Sequence, residues 1–123
     1  MILVDTSIWI DHLRETNGAL VALLQSDADG VHPWIIGELA CGNLRNRKEV
    51  LELLGALPQL MPASDGEVLH FIERRHLMGR GVGYIDMHLL AASIIHVARI
   101  WIRDKRLCGL AAELGLAYAP NAH

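Results

Sequence analysis

Four acidic side chains, Asp5, Glu38, Asp86 and Asp104, each fall where a short apolar run gives way to a turn or a helix. In α/β folds that is where ligand-binding groups gather, at the carboxyl ends of strands. Ile2-Leu3-Val4 reads as a buried strand, and Asp5-Thr6-Ser7 follows directly, ahead of the helical run Ile8 to Arg14. The same grammar returns late in the chain, where Ile100-Trp101-Ile102 is strand-like and Arg103-Asp104-Lys105 opens a helix toward Glu113. If the two strands are neighbours their terminal carboxylates converge, and converging carboxylates repel unless a positive charge sits between them. A hard divalent cation is the natural counter-charge. Taken singly, Asp5, Asp86 and Asp104 also suit helix caps. Glu38 weighs against that reading of the set, because it lies inside the apolar stretch Trp34 to Cys41, where a buried unpaired carboxylate is costly.

The elements that must position these residues alternate between strand and helix, with no internal repeat or linker. Leu20, Leu23 and Leu24 mark a helix face that stops near a turn at Asp27-Ala28-Asp29-Gly30. Val31-His32 is a short strand, and Pro33 suits the first turn of the helix bearing Glu38. A helix over Arg47 to Leu57 is closed by Pro58, and Leu60-Met61 is a further short strand. Ser64-Asp65-Gly66-Glu67 has the pattern of a capping box opening a helix to about Met78. Gly79, Gly81 and Gly83 make a loop, after which a helix from Tyr84 carries Asp86 in its first turn and an apolar face at Leu89, Leu90, Ser93, Ile94 and Val97. Ala117-Tyr118-Ala119 is the last strand, and His123 reads as tail. Such alternation implies one α/β domain over residues 1–123, a parallel sheet flanked by helices.

Composition narrows the function classes. A chain of 123 residues makes one domain with a real core. Hydrophobic content of 52% is more than so small a globule easily hides, which points to an oligomer or a tightly held partner. No apolar run is long enough to span a bilayer and the N-terminus lacks the basic segment of a signal peptide, so a cytoplasmic protein without membrane contact is expected. Cys41 and Cys108 do not suggest a disulfide scaffold, and the histidines form no zinc pattern. A net charge of −3 argues against nucleic-acid binding through overall charge. Local basic clusters remain, and Arg103, Lys105 and Arg106 stand out because they flank Asp104, where they could meet a phosphate chain. Asp11 is kept in view for its nearness to the first motif.

Together, Ile2-Leu3-Val4-Asp5-Thr6-Ser7, the helix-borne Glu38, Gly83-Tyr84-Ile85-Asp86 continuing into Ala91-Ala92-Ser93, and Ile102-Arg103-Asp104-Lys105-Arg106-Leu107 resemble the PIN-domain ribonucleases, especially the VapC-like toxins of bacterial toxin–antitoxin pairs. The resemblance runs over essentially the whole chain, with the acids in the family's order. It implies a PIN-like α/β/α fold and a Mg²⁺- or Mn²⁺-dependent endoribonuclease that hydrolyses tRNA or ribosomal RNA through a metal-activated water and so inhibits translation. Asp5 and Asp86 would be the most direct metal ligands, Glu38 a ligand or a base acting through water, and Asp104 a ligand, with Thr6 or Ser7 binding a carboxylate or a metal-bound water. The resemblance also implies a homodimer inhibited by a cognate antitoxin whose tail fills an apolar groove, in the Ile8 to Leu24 region or the Trp34 to Leu54 region.

Two other classes are weighed against this one. A receiver-like phosphoacceptor domain has similar size and architecture but expects adjacent acids after the first strand and a phosphoacceptor Asp near mid-chain, and neither Asp5 nor the segment Gln59 to Ala63 supplies them. A PIN module that binds RNA or protein without cutting would have no need of all four acids. A PIN nuclease with an RNA-processing role other than as a toxin is a third alternative.

Overall fold

The computed structural model describes residues 1–120, so the reading of His123 falls outside the described residues. Strand β1 (Ile2–Val4) is buried at every position and lies at the centre of a three-stranded parallel sheet in the order β2-β1-β3. Its neighbours are β2 (Asp29–Gly30) and β3 (Arg99–Trp101), in register Leu3↔Gly30 and Leu3↔Ile100. Single parallel bridges, Val31↔Gln59 and Ile100↔Ala117, continue the sheet at both edges. A parallel sheet covered on both faces needs continuous apolar strands, and Ile2-Leu3-Val4 is one.

Between β1 and β2 run α1 (Thr6–Arg14) and α2 (Gly18–Gln25), and between β2 and β3 run α3 (Pro33–Ala40), α4 (Arg47–Ala56), α5 (Asp65–Arg74) and α6 (Tyr84–Ile95). After β3 comes α7 (Lys105–Glu113). This is the expected α/β/α arrangement. Leu3, Leu20, Ile35, Leu39, Leu54, Leu89, Leu90, Ile100, Leu107 and Leu110 are the large side chains sealed in its core. α6 is buried at every residue from Met87 to Ser93, as a helix surrounded by protein must be. The capping box is present: Glu67 N–H donates to Ser64 Oγ at 3.1 Å and Ser64 N–H to Glu67 Oε1 at 2.9 Å. A β-carbon at Gly30 would meet Leu60 Cδ1 and Met1 Sδ, so those side chains would have to shift to admit one.

Several boundaries differ from the sequence reading. The strand expected at Val31-His32 lies earlier, at Asp29–Gly30, with Val31 only bridging to Gln59 and His32 capping α3. Asp29, read as a turn residue, is therefore a buried strand carboxyl whose proton affinity burial raises. The segments expected as strands at Leu60-Met61 and Ala117-Tyr118-Ala119 contribute one bridge each, through Gln59 and Ala117. α5 ends at Arg74 rather than near Met78, since His76 turns into the left-handed region at φ 55°. Val97 does not belong to the apolar face of α6. The helix stops at Ile95, and Val97 is 87% exposed at φ 52°. Cys41 and Cys108 are free thiols, as expected. Among the described residues no helix is long and apolar enough to cross a membrane.

Candidate active site

The parallel pairing of β1 with β3 makes Val4 the partner of Trp101, and Asp5 N–H extends the ladder by donating to Trp101 O at 3.0 Å. Asp5 and Asp104 thus leave the carboxyl ends of adjacent strands, as the sequence grammar required. Asp5 sits at the N-cap position of α1 with extended backbone, yet its side chain makes no cap hydrogen bond. Its Oδ2 instead accepts from Ser7 Oγ at 3.0 Å. Asp104 divides its work, with Oδ1 accepting from Leu107 N–H at 2.9 Å as the N-cap of α7 and the other oxygen left for the site. The side chain of Asp104 is therefore a helix cap, while that of Asp5 is not.

Glu38 comes to the site on α3, which packs on α1. Thr6 Oγ1 donates to Glu38 Oε1 at 2.9 Å, tying the residue after Asp5 to a helix 32 positions away. Glu38 is exposed, so the burial cost argued from its apolar neighbours does not apply. Three residues after buried Ile35 and next to buried Leu39, it stands at the edge of the buried face of α3 with its carboxylate in the open. Asp86, in the first turn of α6, is half-buried, and its carboxyl is pushed up to about 6, first by burial and then by the negative charges of Asp5, Glu38 and Asp104. That mutual influence places the four carboxylates in one electrostatic neighbourhood.

The flanking cations are more engaged than the sequence implied. Arg103, Lys105 and Arg106 are all exposed beside Asp104. Arg103 forms an ion pair with Asp11, which gives Asp11 a role the sequence left open. Arg106 lies across the glycine loop, where a β-carbon on Gly81 would come within 2.8 Å of its Nη1, and Gly81 itself has φ +73°. Arg80 pairs with Glu113, so α7 clasps the loop that leads into Asp86. Beside Glu38 a groove of about 710 Å³ runs between α1 and α4, lined by Ile10, Leu13, Leu39, Leu44 and Val50 with Arg14 and Arg45. It draws on both regions in which an apolar groove was expected.

No protein-family model matches the chain. Ribonuclease VapC32 of Mycobacterium tuberculosis strain CDC 1551 / Oshkosh is 48% identical to it over 120 residues, which are 97% of this chain and 97% of the relative. Ribonuclease VapC32 of strain ATCC 25618 / H37Rv matches to the same extent. The chain belongs to the VapC ribonuclease family.

Within this VapC-family fold the acidic residues suit a hard cation in kind and in charge. All four offer carboxylate oxygens, and Asp86 carries a proton affinity that a nearby positive charge would relieve. Among the described residues no three His, Cys, Asp or Glu side chains already stand close enough to clasp one ion. Charge coupling reaches further than ligation, so the two observations agree: the carboxylates feel one another across a space wider than a closed cage. Such an open set matches Mg²⁺, which keeps several waters and takes one or two carboxylates together with substrate phosphates. The sequence reading missed a second cluster on the other side of α6, in which His88, Tyr84 and Asp65 meet. The four-residue spacing of Tyr84 and His88 was the available signal.

Proposed function

We propose that this VapC-family protein is a Mg²⁺-dependent endoribonuclease, with Mn²⁺ able to substitute, that cuts structured RNA in the cytoplasm and inhibits translation as the toxin of a toxin–antitoxin pair. The observation that carries the proposal is Asp86, a half-buried acid pushed up to about 6 by burial and by three other carboxylates, Asp5 and Asp104 beyond the ends of parallel strands and Glu38 on α3. A fold with no use for a cation gains nothing from that repulsion. Asp5 and Asp86 are the principal ligands, Asp104 offers its uncommitted oxygen, and Glu38 either binds the ion or takes a proton through water. When bound, the ion lowers the pKa of a coordinated water and stabilises charge on the phosphoryl oxygens. Ser7 and Thr6 hold Asp5 and Glu38 in orientation through the hydrogen bonds described above. Arg103, Lys105 and Arg106 meet the phosphate chain, and transfer RNA is the first substrate to try.

The groove beside Glu38 is the natural seat for an apolar antitoxin segment, because its aliphatic lining ends at one of the acids. A cation on that segment would reach the carboxylates and compete with metal. Exposed apolar side chains elsewhere, Met61 at 72% and Val97 among them, supply surface for a second copy of the chain.

The test is cleavage of transfer and ribosomal RNA by purified, partner-free protein, with Mg²⁺ and with excess chelator. Cleavage that needs Mg²⁺ supports the proposal; full activity in chelator, or none under any condition, overturns it. In cells, wild-type expression should arrest growth, Asp5→Asn should not, and a small adjacent open reading frame should rescue growth. Cleavage in vitro without growth arrest would leave a nuclease with a different cellular role.

A further inference from the structure

Tyr84, Asp86 and His88 follow one another on α6 at two-residue steps, about 200° round the helix each time. Tyr84 and His88 therefore share the side turned away from Asp86. There His88, whose side chain is 2% exposed, places Nε2 3.0 Å from Asp65 Oδ1, and the Tyr84 hydroxyl donates to the same oxygen at 2.7 Å. Asp65 is the first residue of α5. Its carboxyl is held below the ordinary range, first by the Tyr84 hydrogen bond and then by that of His88, so it is ionised and only accepts. His88 must then carry its donated proton on Nε2.

The other face of the imidazole lies against Trp34, ring centroids 4.2 Å apart and 30° from parallel. Trp34 is one turn before Glu38 on α3, so the two share a helix face. This ring contact joins the Glu38 helix to the Asp86 helix, alongside the shared core to which both contribute. His32, fully buried at the N-cap of α3, accepts Trp34 N–H on Nδ1 at 3.0 Å and so must bear its proton on Nε2. His32 Nε2 and His88 Nδ1 are buried with no hydrogen-bond partner. A protonated His32 Nε2 offers no lone pair to a metal, which argues against a zinc site here.

We infer that His88 is a positioning residue, braced between Asp65 of α5 and Trp34 of α3, that sets the Asp86 helix against the Glu38 helix. The inference rests on the metal-dependent reading of the acidic site. Removal of groups that orient metal ligands costs about 10–100-fold in affinity. The exposed Asp65 can be changed without opening the core.

Mn²⁺ affinity of the full-length chain, read by electron paramagnetic resonance without RNA, tests it. Asp65→Ala and His88→Phe, which keeps a ring on Trp34 but loses the donor, should each weaken Mn²⁺ about tenfold, lowering kcat for RNA while KM stays near the parent value. Asp65→Asn, which keeps the accepting oxygen, should restore both. Imidazole nitrogen NMR should find His88 as the Nε2–H tautomer. Failure of the parent to bind Mn²⁺ would overturn the metal-dependent reading, and the tautomer would still judge the brace. Parent-like Mn²⁺ affinity in both Asp65→Ala and His88→Phe, or an Nδ1–H tautomer at His88, would overturn the inference while the nuclease reading stood.

Discussion

The two sides of α6 treat buried titratable groups in opposite ways. On one side Asp86 is pushed up to about 6 by burial and by Asp5, Glu38 and Asp104. On the other, His32 is pushed down to about 4 by burial and by the charges of His88 and His96. Burial drives both toward neutrality, as it must in a low-dielectric interior. The difference lies in what relieves them. The histidine side finds partners within the chain, Trp34 N–H for His32 Nδ1, Asp65 for His88 Nε2 and the Met61 carbonyl for His96 Nε2, while His32 Nε2 and His88 Nδ1 have none. On the acidic side Thr6, Ser7 and the Leu107 N–H serve Glu38, Asp5 and Asp104, while every charge that shifts Asp86 is like its own. One side is held by contacts within the chain. The other gathers like charge.

The comparison breaks most decisively if the acidic side proves dispensable. Asp5→Asn or Asp86→Asn should lower RNA cleavage by roughly 100-fold or more, beyond the usual cost of losing a group that merely orients a ligand, with the fold retained by circular dichroism. Cleavage at the parent rate in either variant would remove the site assignment.

A sharper contrast comes from pH. The folded-state pKa of Asp86 lies above the ordinary 3.8, so its contribution to stability is fully present below that value and is lost as pH rises through about 6. Asp86→Asn should therefore raise Tm near neutral pH by several degrees and leave it little changed near pH 4, where the parent is also neutral. The folded-state pKa of His32 lies below the ordinary 6.5, so its contribution is complete above that value and is lost as pH falls through about 4. His32→Asn keeps an N-cap acceptor for Trp34 and should flatten the fall of Tm over that acid range. Thermal melts across the range read both slopes. Identical slopes in parent and variants would erase the contrast.

Added Mg²⁺ should raise the Tm of the parent in a concentration-dependent way and much less that of Asp86→Asn. If an antitoxin cation enters the acidic side, inhibition should also weaken as Mg²⁺ rises, beyond the loss seen at matched ionic strength. Cleavage assays at fixed ionic strength distinguish the two.

The smallest effects belong to the basic rim. Lys105→Gln should weaken RNA binding in an Asp5→Asn background and reduce its salt slope by about 1. Arg103→Gln should do less in proportion to the hold of Asp11 on Arg103, and Asp11→Asn should tighten binding slightly. Slopes equal to the parent's would mean that these residues face away from the RNA.

Asp5 and Asp104 were legible because each follows a fully apolar triplet, a pattern that in a parallel sheet fixes both the strand and the end at which the ligand groups emerge. Glu38 was singled out for a reason that fails. Its neighbours are apolar because α3 buries Ile35 and Leu39, while the carboxylate itself, at the edge of that face, stands in the open. Asp29 was misread because Asp-Ala-Asp-Gly has turn chemistry, and only pairing with β1 turns its last two residues into a strand. Val97 looked like the next step of a helical stripe, but nothing local announced the left-handed turn that ends α6 and exposes it. The histidine cluster was invisible to motif reading, because its members come from α3, α5 and α6 and meet only through tertiary packing.

The pairing of Val4 with Trp101 also bears on how the protein is made. The central strand is synthesised well before the neighbour that precedes Asp104, with six helices between them. Contacts so distant in sequence form only after most of the chain exists. A ribosome partway through the message therefore carries three of the four acids and lacks the strand that sets the fourth beside them. Until β3 is made, the sheet cannot set Asp104 beside Asp5.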